Sequence, residues 1–540
     1  MGIEEHTRLK MDDWRSPTAD NRKSKIDSRK FVGVLLSGLA MSVGWGFRGD
    51  YGHEAGAMVP GALLGLSICL ASGRQDWWQR GSIMAMCGAI GWAFGGQMSY
   101  GRIIGYTASA SLPDVTYGYG CLFLIGGLWA GLGSGVLALS VTDPRSHLER
   151  FAGPLAALWL VWLAMDLTGL TAWLAETWYL HDTDWFAALS ALLVAGIYAV
   201  LVPRARPACV LIAVLACGWW TGYIILTGLL GLRMTPPRSD NWSGCVGLFA
   251  ALVLYLARRK NRAALIAALW GFLVGGLGFA LGDFVNMLGR AQWGPIGRLS
   301  ELQGLDYWKW MEQLFGLVMG IGVALVFLRA MRQKLRPPAE DQEDRNLNTV
   351  ALLFLLLIMM WSNLHKNIRK WVEGNAIPEQ LFGVPAKWWF LLVGFLLSAA
   401  VLVAIIRHRR HVLPLAPAGA FGRGQLLFLV ILWVAVVGAF MQALPAMANK
   451  GTFLVHVTFW MTAGLCSLIV LALRGESRSQ TDANWAASDS SWKLGMYYWV
   501  SLVLVLVFVL VLGYLTASLS EEPLPGSNLR FENAPWSLGE

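Results

Sequence analysis

The stretch FVGVLLSGLAMSVGWGFRGDYGHEAGAMVPGALLGLSICLA (31–71) decides the fold. Its two flanks, 31–43 and 55–71, hold no ionisable side chain except cysteine. Between them GWGFRGDYGHE (44–54) packs Arg48, Asp50, His53 and Glu54 into seven positions. A membrane-spanning helix needs about 20 mainly apolar residues. The flanks therefore read as a helix, a charged knot and a returning helix.

The rest of the chain repeats that apolar character. Of 540 residues, 56% are hydrophobic and 14% charged, and the mean hydropathy is +0.51. Soluble domains carry about 25% charged residues. Fifteen apolar runs are read as spans: 31–48, 55–71, 82–98, 119–140, 151–172, 185–203, 207–231, 243–257, 263–285, 310–331, 348–364, 387–407, 424–447, 452–473 and 494–518. The weakest is 243–257, which is short and starts at Ser243-Gly244, so the count is fourteen or fifteen. Continuous apolar runs exclude a β-barrel, whose strands alternate. Lipid obliges each run to satisfy its own backbone as a helix. The fold class expected is an all-α, polytopic integral membrane protein.

Lys and Arg orient the chain. With the N-terminus inside, thirty of the 43 basic residues fall in the tail and inner loops. This is the positive-inside pattern. It places the N-terminus in the cytoplasm and the C-terminus outside, in a bacterial inner (plasma) membrane. The net charge of +9 is accounted for by basic loops facing anionic lipid, with no nucleic acid required. The tail is too long and charged to be a cleavable signal. Five segments are expected: a cytoplasmic tail (1–30), a membrane unit of about ten helices (31–331), a charged cytoplasmic linker (332–347), a unit of about five helices (348–518) and a disordered outer tail (519–540).

The first unit repeats itself. Gly44-Trp45-Gly46-Phe47 recurs as Gly91-Trp92-Ala93-Phe94 and, more weakly, as Gly276-Leu277-Gly278-Phe279. Each returning helix carries a spaced glycine pair: Gly61/Gly65, Gly127/Gly131 and Gly316/Gly320. Such pairs let helices approach closely. The repeat is a parallel helix hairpin, an arrangement found in transporters.

The knot is the principal candidate site. Its four glycines weaken the helix, so the first span breaks at the outer edge of the membrane. A break at that depth is tolerated within protein or beside a water-filled cavity. Arg48 is expected to pair with Asp50 or Glu54, and His53 adds a group that titrates near neutrality. The second copy contributes Gln97 and Arg102 in GGQMSYGRIIGY (95–106), and the third contributes Asp283, beside Asn286 and Arg290. Glu312 lies three residues after Lys309, close enough for a local ion pair. Lys309 itself reads as an interfacial snorkelling residue. Asp166 has no charged neighbour in sequence and needs a partner from another helix.

Other signals point to packing. The seven cysteines fall within or at the edges of spans and form no disulfide or zinc pattern. His53, His181, His365 and His456 lie towards the outside, but no metal-binding helix spacing accompanies them. Many of the 28 tryptophans, Trp308 among them, flank spans as an interfacial belt. No phosphate loop, hydrolase elbow or haem motif is present, so no cofactor and no metal are expected. Two readings follow. The first is a transporter, proton- or cation-coupled, for a small polar or anionic solute such as a sugar or sugar acid. The second is a membrane-embedded glycosyl or acyl transferase at the outer face. It would use a lipid-linked or glycan substrate, with Asp50, His53 or Glu54 as general base. The partners expected are the bilayer and either that solute or that lipid.

Overall fold

The computed structural model describes residues 19–96, 98–178, 184–234, 240–330, 335, 337–338, 345–412, 417–475 and 491–530. Gln97, residues 181–183, most of the linker 332–347 and the side chain of Asp166 lie outside that set. The chain opens with α1 (Ala19–Gly46), a short α2 (Arg48–Tyr51), α3 (His53–Ala71) and α4 (Gln75–Trp78). Then come α5 (Gly81–Ala93), α6 (Gly101–Thr107), α7 (Leu112–Thr142) and α8 (Arg145–Glu149). A third group is α9 (Ala152–Leu167), α10 (Leu170–Trp178), α11 (Asp184–Leu201), α12 (Arg206–Gly222) and α13 (Asn241–Arg258). It is followed by α14 (Arg262–Arg290), α15 (Pro295–Arg298), α16 (Tyr307–Leu325), α17 (Arg345–Leu353), α18 (Met360–Leu364) and α19 (Lys366–Glu373). A two-residue-strand hairpin, 380–385, leads into α20 (Ala386–Arg409), α21 (Ala420–Ala443), α22 (Lys450–Ala472) and α23 (Ser491–Ala517).

Among the described residues, twelve helices are long and apolar enough to cross a membrane, and α5 and α11 are shorter apolar helices. This is a multi-pass, all-α membrane protein. The segment around 243–257 forms a helix because glycines seat it: Gly218 and Gly222 of α12 meet the backbone of Gly247. A side chain at either contact would force the two helices apart.

Six helices close into a ring in the order α1, α3, α5, α7, α14, α16 and back to α1. Glycine seats three of its interfaces in the same way. A Cβ on Gly61 of α3 would strike the Gly88 carbonyl and the Trp92 Cβ of α5. One on Gly316 of α16 would strike the Met41 carbonyl and the Trp45 Cβ of α1. One on Gly126 of α7 would strike the Gly275 carbonyl and the Phe279 Cβ of α14. Trp45, Trp92 and Phe279 thus occupy like places at these three interfaces. In α7 the seated glycine is Gly126. Gly127 and Gly131 meet aromatic rings of Phe272 and Phe249 instead.

The ring is filled, not hollow, at its centre. Trp45 lies edge-on to Trp129 and Phe315 at 5.0 and 4.9 Å between centroids, and Phe315 stacks on Phe279 at 4.7 Å. All four rings are buried. A second apolar core joins α1 and α3 to α21 and α22, through Leu36, Phe47 and Val59 against Phe428, Val436 and Phe459.

Two ends of the ring differ in chemistry. At one, Arg80 Nη1 donates to the carbonyls of Ser140 (2.6 Å) and Asp143 (2.9 Å). It caps the C-terminal end of α7, where cations oppose the helix dipole. Arg259 donates to Asp143 from the loop between α13 and α14. The other end carries the knot, residues 44–54.

Within the tail expected to be disordered (519–540), the described residues 524–530 pack at the knot end. Leu524 is buried and its N–H donates to the Ala108 carbonyl at 2.7 Å. Arg530 pairs with Asp114 at 2.8 Å, and Arg290 donates to the Pro525 carbonyl. Residues 524–530 therefore form a strap over α6. Sequence composition missed it because its partners, Ala108, Asp114 and Arg290, lie in distant parts of the chain.

Candidate functional site

The knot breaks the first hairpin into three pieces, with Phe47 between α1 and α2 and Gly52 between α2 and α3. Gly52 has φ +91°, a backbone conformation that favours glycine, and a Cβ there would stand 2.5 Å from the Lys366 Nζ. Beside α3 in the ring, α5 stops at Ala93 after 13 residues. At 1.5 Å per residue that is about 20 Å, short of the ~30 Å hydrocarbon core. The chain then runs without regular helix to α6 at Gly101.

Breaks free backbone carbonyls, and polar side chains from the surrounding helices take them up. Lys309 Nζ of α16 donates to the Gly46 carbonyl at 3.0 Å. Gln442 of α21 donates to the Asp50 carbonyl, and Lys366 of α19 to the Tyr51 carbonyl, both at 2.8 Å. At the neighbouring break, Arg48 donates to the Gly96 carbonyl at 2.5 Å and the Trp129 indole donates to the Gly95 carbonyl. The two breaks are thus tied to each other by Arg48.

At the centre lies an ionic triad. Lys309 Nζ is 3.0 Å from Asp50 Oδ1 and 3.4 Å from Glu312 Oε2. The Glu312 side chain is 2% exposed, that of Lys309 18% and that of Asp50 27%. The second carboxylate oxygen of Glu312 accepts hydrogen bonds from the Tyr100 hydroxyl and, at 3.3 Å, from the Trp308 indole. Tyr100 stacks on Trp308 at 5.5 Å and sits edge-on to Trp129 and Phe279. The aromatic plug of the ring therefore forms the floor of the triad. Gln313, on the turn after Glu312, accepts from Thr458 of α22 at 3.3 Å.

Arg48 corrects one expectation. Among the described contacts it pairs with neither Asp50 nor Glu54. Its guanidinium is buried over Trp129, Trp45 and Tyr100, at 5.0, 5.7 and 5.9 Å from their centroids. Aromatic faces attract a desolvated cation, and the Gly96 carbonyl completes the site. The arginine thus holds the break together, while Lys309 takes the carboxylate that the sequence assigns to Arg48.

The other sequence candidates separate. His53 and Glu54 are half-buried in the first turn of α3, and the Glu54 backbone lies directly against Gly96. Arg102 reaches the strap, 3.5 Å from the Arg530 carbonyl, instead of the knot. Asp283 is fully buried in a neighbouring cluster, where Asn286 donates to it at 3.3 Å and Arg290 donates to Asn286 at 3.2 Å. Arg290 also lies over Trp308, which links this cluster to the triad. Asp50 and Glu312 do meet, through Lys309.

The expected local pair of Lys309 with Glu312 is present, and Lys309 reaches Asp50 as well, which no sequence spacing suggests. Trp308, assigned to the aromatic belt, is bonded to Glu312, whereas Trp293 and Trp388 are exposed as belt residues are. The local signal was DYWKWMEQ (306–313), where an apolar helix starts with a cation and an anion one turn apart. Lys366, Gln442 and His456 gave no signal, because they arrive from distant helices.

Comparison with known families, with curated proteins and with solved structures finds no match to this chain.

Proposed function

We propose that the protein is a proton- or cation-coupled transporter for a small polar or anionic solute, such as a sugar or sugar acid. The observation that carries this reading is the Lys309 ammonium, held by Asp50, Glu312 and the Gly46 carbonyl where a membrane helix is broken. Ionisable groups at membrane depth are costly and mark ion or substrate pathways. Discontinuous helices that meet where repeated units pack form the binding sites of many transporters. Arg48 and Lys366 add positive charge beside the carboxylates, which suits an anionic solute group.

In this reading the fifteen-span topology holds, with the N-terminus cytoplasmic and the knot on the outer side of a bacterial inner membrane. The three like-seated interfaces reflect three copies of one helix hairpin, α1/α3, α5/α7 and α14/α16, closed head to tail. Seven residues before each seated glycine the copies carry Glu54, Tyr119 and Lys309, so the frame is repeated and its chemistry is not. One copy supplies the cation and another the carboxylate of Asp50.

The test is thermal unfolding of the purified protein against sugars, sugar acids, organic acids and amino acids, beside Asp50→Asn. A ligand that binds the native state raises apparent stability by RT ln(1 + [L]/Kd). A solute-specific rise that Asp50→Asn abolishes supports the reading. A rise only with polyprenyl-phosphate sugars overturns it in favour of a transferase.

A further inference from the structure

We propose that the Lys309 ammonium occupies a monovalent-cation site, and that an ion such as Na+ or Li+ displaces it during the working cycle. This rests on the transporter reading and names its coupling site.

The ligand set is that of a small cation. Three oxygens surround the ammonium: Gly46 O and Asp50 Oδ1 at 3.0 Å and Glu312 Oε2 at 3.4 Å. Gly46 is the last residue of α1, so its carbonyl belongs to the negative end of a helix dipole. Unwound carbonyls and helix C-terminal ends of this kind coordinate Na+ in broken-helix transporters. Hard monovalent and divalent cations take oxygen ligands, and two carboxylates already balanced by one ammonium and the nearby Arg48 favour a single positive charge.

Two further features let the ammonium leave. Gly49 keeps its flank open: a Cβ there would stand 3.7 Å from Lys309 Nζ and 3.6 Å from Glu312 Oε1. The flexible four-carbon stem of lysine permits the movement. An unused acceptor is also at hand. His456 of α22 is 5% exposed, feels the charges of Asp50 and Lys309, and its Nδ1 makes no hydrogen bond. Glu312 Oε2 likewise accepts no hydrogen bond, since at 3.4 Å its contact with Lys309 is ionic.

The exchange balances in charge. When M+ enters, Lys309 withdraws as the neutral amine and its proton passes to water. When M+ leaves, the amine takes up a proton and returns between the carboxylates. One cation is exchanged for one proton. The groups that face the amine through this cycle are Arg48, Asp50, Tyr100, Glu312 and His456.

The full-length protein in detergent gives the test, with NaCl, LiCl and KCl compared with choline chloride at equal ionic strength. In Lys309→Ala, Na+ or Li+ is expected to raise the unfolding temperature where choline does not, and Lys309→Ala/Glu312→Gln is expected to lose the effect. In the wild type, which carries no folding risk, the same ion is expected to raise acylation of Lys309 by an amine-reactive reagent, read by peptide mass spectrometry. Equal behaviour in choline and in every inorganic cation, with Lys309 acylation unchanged, overturns the proposal. If Lys309→Ala does not fold, the acylation result alone decides. Cation binding in a protein that binds no solute would keep this site and remove the transporter reading. Solute binding with no cation effect would do the reverse.

Discussion

Replacing Lys309 by methionine removes the cation from a buried pair and keeps most of the side-chain volume. At an effective dielectric of about 20, unit charges 3.0 and 3.4 Å apart attract by about 5 kcal/mol each, before desolvation is subtracted. Desolvation cancels much of that attraction, but the cost of burying Glu312 stays once its partner is gone. Breaking a buried pair from one side costs about 3–5 kcal/mol. Asp50, with 27% of its side chain exposed, recovers part of its hydration. Glu312, at 2%, keeps hydrogen bonds from Tyr100 and Trp308 and little else. The expected loss for Lys309→Met is therefore about 3–5 kcal/mol, nearly all of it through Glu312. Glu312→Gln retains an acceptor and leaves Lys309 with Asp50, so it should cost only about 1–2 kcal/mol. The double variant should be about as stable as Glu312→Gln alone, so the coupling energy equals the Lys309→Met loss, about 3–5 kcal/mol. Unfolding in mixed micelles, followed by tryptophan fluorescence with choline as the only cation, measures all four proteins. Losses that add within about 0.5 kcal/mol would refute the reasoning, because they would show that Lys309 and Glu312 are energetically independent.

Four further outcomes follow from the packing, the termini and the topology. In Gly65→Leu a Cβ would stand 2.6 Å from the Met84 carbonyl oxygen and 2.9 Å from its carbon, so thermal melts should show a loss of about 1–3 kcal/mol or more. Gly120→Ala, with nothing within 4 Å of the new Cβ, should be neutral or slightly stabilising in the same assay. Leu524→Asp removes a buried anchor worth about 1.5–3 kcal/mol, so trypsin should cut after Arg530 about tenfold faster or more. For topology, Cys217→Ser removes the one exposed cysteine. In that background Glu521→Cys should react with an impermeant maleimide in intact cells, and Arg410→Cys only after permeabilisation. Reaction from the same side, or the reverse order, would contradict the N-in, C-out topology.

Much of the architecture was legible because it rests on local physics. Apolar runs of spanning length, the break at four glycines and the Gly61/Gly65 and Gly316/Gly320 seams are properties of contiguous sequence. The sequence sets Leu277 against Trp45 because Gly276 and Gly278 resemble Gly44 and Gly46, but the side chain packed on a seated glycine at the third interface is Phe279. The ion pairing was misassigned for a similar reason. Arg48 and Asp50 are neighbours in the chain, but the turn of α2 sends the guanidinium inward onto Trp129 and leaves Asp50 to Lys309. A cation–π site and a partner 259 residues away leave no trace in local spacing. The strap was read as disordered from its glutamates and prolines, yet Leu524 and Arg530 hold it down by specific contacts that composition does not encode.

The most direct test of the central claim is proton movement through the Asp50–Lys309–Glu312 triad. Wild-type protein and the variants Asp50→Asn and Glu312→Gln are reconstituted into liposomes with an entrapped pH-sensitive dye, and the solute that stabilises the protein is added outside with Na+, Li+ or choline. The account predicts a solute- and cation-dependent change of internal pH in the wild type, abolished in both variants while solute binding persists in at least Glu312→Gln. Solute uptake that proceeds at the wild-type rate in both variants, with no change in internal pH, would contradict it.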